Sequence, residues 1–355
     1  MRRWSLLLLI LASLSGCASP GDNHRAQLAD MIHEVVTPER AERLKFQAEM
    51  RRLLEQQQYA SLVRIADSLR TNRARFRDGH YALVDFYDSF SLDETPKAKD
   101  SRAWQTSIAQ LQAWRSAMPE TPLPDVMLAA TYGNLAWKSR GGGYAFTVSD
   151  TGWAGYGNAL QHARDALDEA ATKRPLGIEW YLVSSRVALG MGWSSRQSQE
   201  LFAGAVALDS TCENAYILRS TYLLPRWYGR KGEWQQWLDR SLAPLPPEEA
   251  TRIYAAVGSS MTQIHRDFFR ETGYDWRRMR HGHVVQIDLH PRSQALAQQI
   301  AYDAVQAGDA GAAHEMFSIT GPRCDLKIWR SKRYFTDCYL WAQARDARVR
   351  VASAR

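Results

Sequence analysis

Apolar and small residues recur with helical spacing through the middle of the chain. Four stretches place one residue, another four on, a third three further on, and a stop five beyond that. They are Ser107, Leu111, Trp114 and Pro119; Ala163, Leu167, Ala170 and Pro175; Ser198, Phe202, Ala205 and Ser210; and Trp234, Leu238, Ser241 and Pro246. Offsets of four and three bring the first three positions onto one helix face, and the fourth ends the helix. Successive copies lie 56, 35 and 36 residues apart. Long alternating runs of Val, Ile and Thr are missing, so almost no sheet is expected. The pattern predicts an all-α chain of stacked helical hairpins, a solenoid.

The flanking elements follow the same logic. Thr37-Pro38-Glu39-Arg40 reads as a helix start: a capping hydroxyl, proline at the first helical position and an acid in the first turn. This helix runs to about residue 57, with Leu44, Met50, Leu53 and Leu54 on its apolar side. Leu62, Ile65, Ala66 and Leu69 mark its partner, and the pair has the charged outer face of a terminal capping unit. An aromatic helix over 79–90 follows, then a loop at 93–96 and a helix over 101–117. Pro122 and Pro124 open the next helix, which runs to Trp137. The 56-residue interval then implies an insertion of 21 residues relative to the next interval, containing Gly141, Gly142 and Gly143. Later hairpin bends read Gly190-Met191-Gly192-Trp193 and Leu224-Pro225-Arg226-Trp227-Tyr228-Gly229. In a stack of hairpins, such bends emerge along one border. The repeat region is assigned to 37–246. A C-terminal helical region over 247–346 ends in a closing aromatic and basic segment from 324.

The repeated face resembles the second helix of tetratricopeptide (TPR)-like repeats, whose units of about 34 residues are helical hairpins. The Trp-Leu-Gly-Tyr signature of the family's first helix is absent, and Trp234 stands where a small residue belongs. Together, Arg140-Gly141-Gly142-Gly143-Tyr144-Ala145, Gly192-Trp193 and Leu223-Leu224-Pro225-Arg226-Trp227-Tyr228-Gly229 resemble a bacterial family of TPR-like proteins defined by a domain of unknown function, over about residues 45–245. That resemblance implies a fold and carries no activity.

The N-terminus changes the setting. Arg2 and Arg3 precede an apolar run over 6–11, too short to span a bilayer as a retained helix. Leu14-Ser15-Gly16-Cys17 resembles a bacterial lipobox. The resemblance implies cleavage after residue 16, acylation of Cys17 and a membrane anchor, with residues 17–36 as a tether. Ala18 follows in place of aspartate, which points to an outer-membrane lipoprotein facing the periplasm. Two positive charges leave with the signal, so the formal +7 becomes +5 in the mature chain. Without a concentrated basic stripe, nucleic acid is not an expected partner. Arg277-Arg278-Met279-Arg280 is taken as the one dense basic cluster and reads as a solvated helix face. In an oxidising compartment, Cys324 and Cys338 are candidates for a disulfide, leaving Cys212 as a buried thiol.

Candidate chemistry concentrates on the predicted border. Arg140, Gly141, Gly142, Gly143, Tyr144, Trp153, Trp193, Arg226, Trp227 and Tyr228 should share one rim. Aromatic and arginine side chains of this kind recur at binding hot spots. The same residues also serve as packing around turns. His281, His283, Asp288 and His290 are metal-capable types, but positions 281 and 283 point apart on a helix. No phosphate-binding loop, His-Glu-x-x-His or Gly-x-Ser-x-Gly motif occurs, and no cofactor is expected. Asp150 and Glu179 are conceivable glycosidase-type carboxylates, although Glu179 reads as a helix-surface residue. The sequence therefore points to an envelope scaffold that binds a protein, peptide or glycan. A periplasmic hydrolase acting on cell-wall material is the alternative.

Overall fold

Good helix formers, spaced apolar positions and side-chain caps act together along nearly the whole chain. The computed structural model describes residues 30–92, 100–143 and 145–353. The signal sequence, Cys17, most of the expected tether, the 93–96 loop and Tyr144 lie outside the described residues. Within them are sixteen α-helices and two strands of two residues each, so the chain is all-α as its periodicity predicts. No helix among the described residues is long and apolar enough to cross a membrane.

Eleven helices make up the first part: α1 (Pro38–Glu55), α2 (Tyr59–Thr71), α3 (Ala82–Asp88), α4 (Ser101–Ala117), α5 (Leu123–Arg140), α6 (Asp150–Thr172), α7 (Ile178–Met191), α8 (Ser195–Leu208), α9 (Glu213–Tyr222), α10 (Glu233–Leu242) and α11 (Pro247–Thr262). They alternate between two layers. Each odd-numbered helix packs on the next odd-numbered one, from α1 through to α11, while α2, α4, α6, α8 and α10 lie outside. The repeated face is the buried face. Leu111, Trp114, Ala163, Ala170 and Leu238 are fully inaccessible, and Phe202 and Ala205 nearly so. Trp234 is also buried, stacked on Tyr274 with ring centroids 5.3 Å apart. Here an aromatic cluster fills the space that a close helix crossing would occupy.

The expected insertion is largely helix. Helices α5 and α6 have 18 and 23 residues, against 14 each for α7 and α8. Trp153 accordingly sits in the first turn of α6, one turn after Ser149, whose hydroxyl accepts the Gly152 N–H at 3.1 Å.

After α11 come α12 (Phe268–Thr272), α13 (Trp276–Leu289), α14 (Gln294–Ala307), α15 (Ala310–Thr320) and α16 (Lys332–Ser353). The expected boundary at 246 is displaced. Ile253, Val257, Phe268 and Met279 belong to the first core. A second core joins Ala297, Tyr302, Phe317, Trp329 and Phe335.

That second core closes onto the N-terminus. Ile32 is buried within it, and β1 (His33–Glu34) pairs in parallel with β2 (Arg323–Cys324). The end of the expected tether is therefore part of the fold. Helix α14 packs on both α11 and α1, so the inner layer returns on itself. Two carboxylates seal this junction. Glu39 accepts the first N–H groups of α14, from Gln294 at 3.2 Å and Ala295 at 3.3 Å. It caps a helix 255 residues distant in sequence rather than serving only its own dipole. Asp325, 1% exposed, accepts Arg40 Nη1 at 3.0 Å and the Thr37 amide at 3.3 Å. The Thr37 hydroxyl also turns to Asp325 and makes no cap bond to its own helix. The first hairpin is thus a junction, not the free terminal cap expected.

Removing a buried, ion-paired acceptor leaves its donors unpaired. Asp325→Ala should lower stability by about 2–4 kcal/mol, measured as a lower urea midpoint. Thr37→Val should cost about 1 kcal/mol or less, since it deletes a single long hydroxyl contact.

Candidate functional site

Three bends meet on one border. Helix α5 ends at Gly141, whose positive φ of 76° suits glycine, and a short 3-10 turn over Ala145–Thr147 leads into α6. Helix α7 ends at Gly192 in the left-handed region, and the α9–α10 link carries residues 223–232. Tyrosine hydroxyls tie the bends together. Tyr228 donates to the Leu189 carbonyl at 2.9 Å, Tyr222 to that of Trp193 at 2.5 Å, and Tyr156 to that of Gly190 at 3.2 Å. Rings complete the join: Trp137 meets Trp227 at 5.7 Å and Tyr156 at 5.2 Å, both edge-on, and Tyr156 meets Trp153 at 5.7 Å. Burial pushes the Tyr156 hydroxyl up to about 12, so it acts as a neutral donor.

The predicted residues divide into two groups on this border. Arg140 is committed internally. Its guanidinium donates to the carbonyls of Gly141 and Gly143, both at 3.1 Å, and lies over the rings of Trp137 and Trp153. Trp193 and Trp227 are half-buried. Trp153, Arg226 and Tyr228 are exposed, as are Gly141, Gly142 and Gly143. Phe146, 86% exposed, belongs with them. It escaped the sequence reading because an isolated Phe in an irregular loop has no periodicity. Arg219 was missed as well. It is buried, donates to Ser195 Oγ at 3.0 Å and lies 5.0 Å from the centre of the Tyr222 ring.

A second concave feature opens inside the closed inner layer. One cavity of about 450 Å³ reaches Arg43, Asp78, His80, Glu213, Arg252 and His290. A second of about 260 Å³ adjoins Arg43, Arg51, His80, Asp85, Asp88 and Arg186. The segment joining α2 to α3 organises this interior. Arg70, in the last turn of α2, pairs with Glu179 of α7 at 2.5 Å, and from the link Arg75 pairs with Glu213 of α9 at 2.6 Å, while the exposed Arg73 and Arg77 reach Asp209 at 3.7 Å and Glu42 of α1 at 2.8 Å. Four arginines within eight residues fasten four different segments. This run holds one more arginine than Arg277-Arg278-Met279-Arg280 but spreads them over eight residues, and it is the signal that sequence reading passed over. Glu179 is buried in one of these pairs, not on a helix surface as expected. Burial alone would raise the Glu213 carboxyl, but Arg75 and Arg252 hold it below the ordinary glutamate value. Every acid lining the two cavities is ion-paired. Asp78 meets Arg43, Asp85 meets His80 and Arg43, Asp88 meets Arg186, and Glu249 meets Arg252.

The remaining candidates separate. His281 is exposed, His283 is buried 3.3 Å from Asp303, and His290 lines the larger cavity, where burial lowers its pKa. Among the described residues, no group of three or more His, Cys, Asp or Glu side chains is placed to hold a metal. Asp150 begins α6 and is exposed, remote in role from the buried Glu179 pair. Cys324 and Cys338 are both buried free thiols, so the expected bridge is not formed. Each is seated in the second core, where burial raises its pKa to about 12.

The family described as Domain of unknown function (DUF4034) matches residues 46–176. The matched stretch carries the arginine run and the glycine bend. It stops before the Gly192 and 223–232 bends, short of the resemblance expected to reach about residue 245. No curated protein matches the chain.

Two measurements follow from these buried groups. A depressed Glu213 contributes stability above its ordinary value of 4.5 that is lost as pH falls through its folded value. Glu213→Gln should therefore melt lower at neutral pH and lose less on acidification below that point, read as Tm against pH. Iodoacetamide should leave Cys212, Cys324 and Cys338 unmodified in the native protein. Unfolding without reductant should expose all three, and failure of Cys324 and Cys338 to react then would restore the bridge.

Proposed function

We propose that this chain is a cell-envelope scaffold: a TPR-like helical solenoid, held at the outer membrane through acylated Cys17, that receives a partner on the rim. The observation carrying the reading is the meeting of three sequence-distant bends, which presents Phe146, Trp153, Arg226 and Tyr228 to solvent around a firmly tied base. Exposed aromatic rings beside an arginine suit an extended peptide of an envelope protein, with charge-assisted bonds from Arg226. Gly141 and Gly142 leave their backbone open to approach, since a Cβ on either would meet nothing within 4 Å. Arg140, Trp137 and Trp227 belong to the base that positions the contact groups. Tyr144 and Trp193 complete the proposed rim in sequence. The cavity acids support binding over hydrolysis. A general acid needs a raised pKa, and Glu213 is held the opposite way by two guanidinium groups.

A photo-crosslinking residue in place of Phe146, in the intact protein in cells, tests the rim. Discrete adducts should form there and fall at least about tenfold on Trp153→Ala with Arg226→Ala, since loss of two hot-spot contacts costs about 2–4 kcal/mol of binding. Protease digestion of the adduct should release the label if the partner is a peptide, and muramidase digestion if it is a glycan. Adducts matching those from a control position at Leu208 would remove the rim from consideration. Mass spectrometry of the mature N-terminal peptide, with diacyl and amide-linked chains on Cys17, checks the anchor separately.

A further inference from the structure

The positive charge of this protein is unevenly distributed. Residues 323–355 contain nine Lys and Arg against three Asp, a net +6. The mature chain totals +5, so residues 17–322 together carry about one net negative charge. This basic segment begins at β2, which is paired with β1. The pairing sets the start of this segment, Arg323 and Cys324, beside His33 and Glu34, close to residue 30 where the described fold begins. Arg323 and Lys327 are exposed on and just after β2, and Arg330 and Arg333 are exposed further along the segment, Arg330 donating to the His265 carbonyl at 3.4 Å. Three apolar side chains are exposed around the same strand pair: Met31 at 58%, Val36 at 51% and Leu326 at 47%. The acids do not cancel this edge. Asp325 is buried against Arg40, which leaves Asp30 and Glu34 as its exposed carboxylates.

The chain outside the described fold indicates what covers this edge. Thirteen residues, 17–29, separate the expected lipid attachment from Asp30. That length reaches at most about 45 Å, and about 20 Å on average if flexible. A domain held so short sits near the bilayer, and the point of attachment lies on the edge just described. Lys and Arg at an anionic leaflet each contribute about a factor of five in partition, acting within a Debye length of about 8 Å. Apolar side chains among them enter the headgroup boundary.

We propose that the β1–β2 edge, with Arg323, Leu326, Lys327, Arg330 and Arg333, is a membrane-contact surface for anionic phospholipid that works alongside the lipid anchor. The proposal rests on acylation of Cys17, which sets the tether. It orients the domain on the bilayer and leaves the remaining surface to face the periplasm.

The test uses the mature, acylated protein reconstituted into vesicles with and without phosphatidylglycerol. A fluorophore is attached at Leu326→Cys, and, in a second sample, at Phe146→Cys. The buried native thiols leave the introduced cysteine as the reactive site. Headgroup-depth quenchers should strongly quench the probe at 326 in anionic vesicles. Quenching should fall several-fold in neutral vesicles, in high salt, and in a variant carrying Arg323→Gln, Lys327→Gln, Arg330→Gln and Arg333→Gln. The probe at 146 should stay unquenched throughout. An unchanged far-ultraviolet spectrum and melting point verify that the variant folds. Equal quenching at 326 in neutral and anionic vesicles, or indifference to the four substitutions, overturns the proposal. If Cys17 proves unacylated, the anchor fails on its own, and flotation of the soluble protein with the same vesicles reads the surface alone. In that assay the four substitutions should weaken binding by about ten- to a thousandfold. Absence of flotation, or retention on an anionic polysaccharide in its place, also overturns it.

Discussion

The fold depends on a closure between its two ends. Helices that alternate between an inner and an outer layer leave an unpaired face at the first and last unit. Here those faces cover each other. Helix α14 packs on α1, the β1–β2 pair joins residues almost three hundred positions apart, and Ile32 fills the second core. Such a junction between amphipathic helices needs little polar chemistry for energy, but it does need register. Glu39 and Asp325 supply that register, because a buried carboxylate is costly anywhere except against its donors.

Closure also explains the charged interior. An inner layer that returns on itself encloses space, and the backbone link between α2 and α3 enters it. Arg75 on that link lines the space and pairs with Glu213, and Arg70 at the end of α2 pairs with the buried Glu179, while Arg73 and Arg77 make their pairs at the surface. Arginine suits this task, since its planar fork pairs a carboxylate from a long, partly apolar stem. Such pairs add modestly to net stability once desolvation is counted. Their larger effect is to specify one mutual placement of α1, α7 and α9. The paired acids are therefore best understood as architecture.

The rim follows a different economy. Its base is dry and aromatic, and its tyrosine hydroxyls satisfy carbonyls at the end of α7, which no helix bond serves. A rigid base lets exposed rings at its margin present a fixed surface, and preorganisation of that kind lowers the entropic cost of binding. The rim and the basic β1–β2 edge are chemically distinct surfaces, one aromatic and one cationic. In the proposed arrangement, such a division would let the chain face a membrane and a partner at once.

The all-α class was legible in the chain because the 3.6-residue periodicity is local. The same holds for the buried face at Leu111, Ala163, Phe202 and Leu238, and for the convergence of the glycine bends, which follows from stacking hairpins in order. What the chain alone left open depends on contacts with no sequence period. Glu39 as a cap for α14, Asp325 beneath Thr37, and the arginines paired with distant acids are all long-range contacts made by a charged side chain. Such residues look like solvated surface until the tertiary fold removes the water around them. Phe146 and the free Cys324 and Cys338 belong to the same class: exposure and thiol pairing are decided by which surfaces meet in three dimensions, and residue spacing cannot specify that.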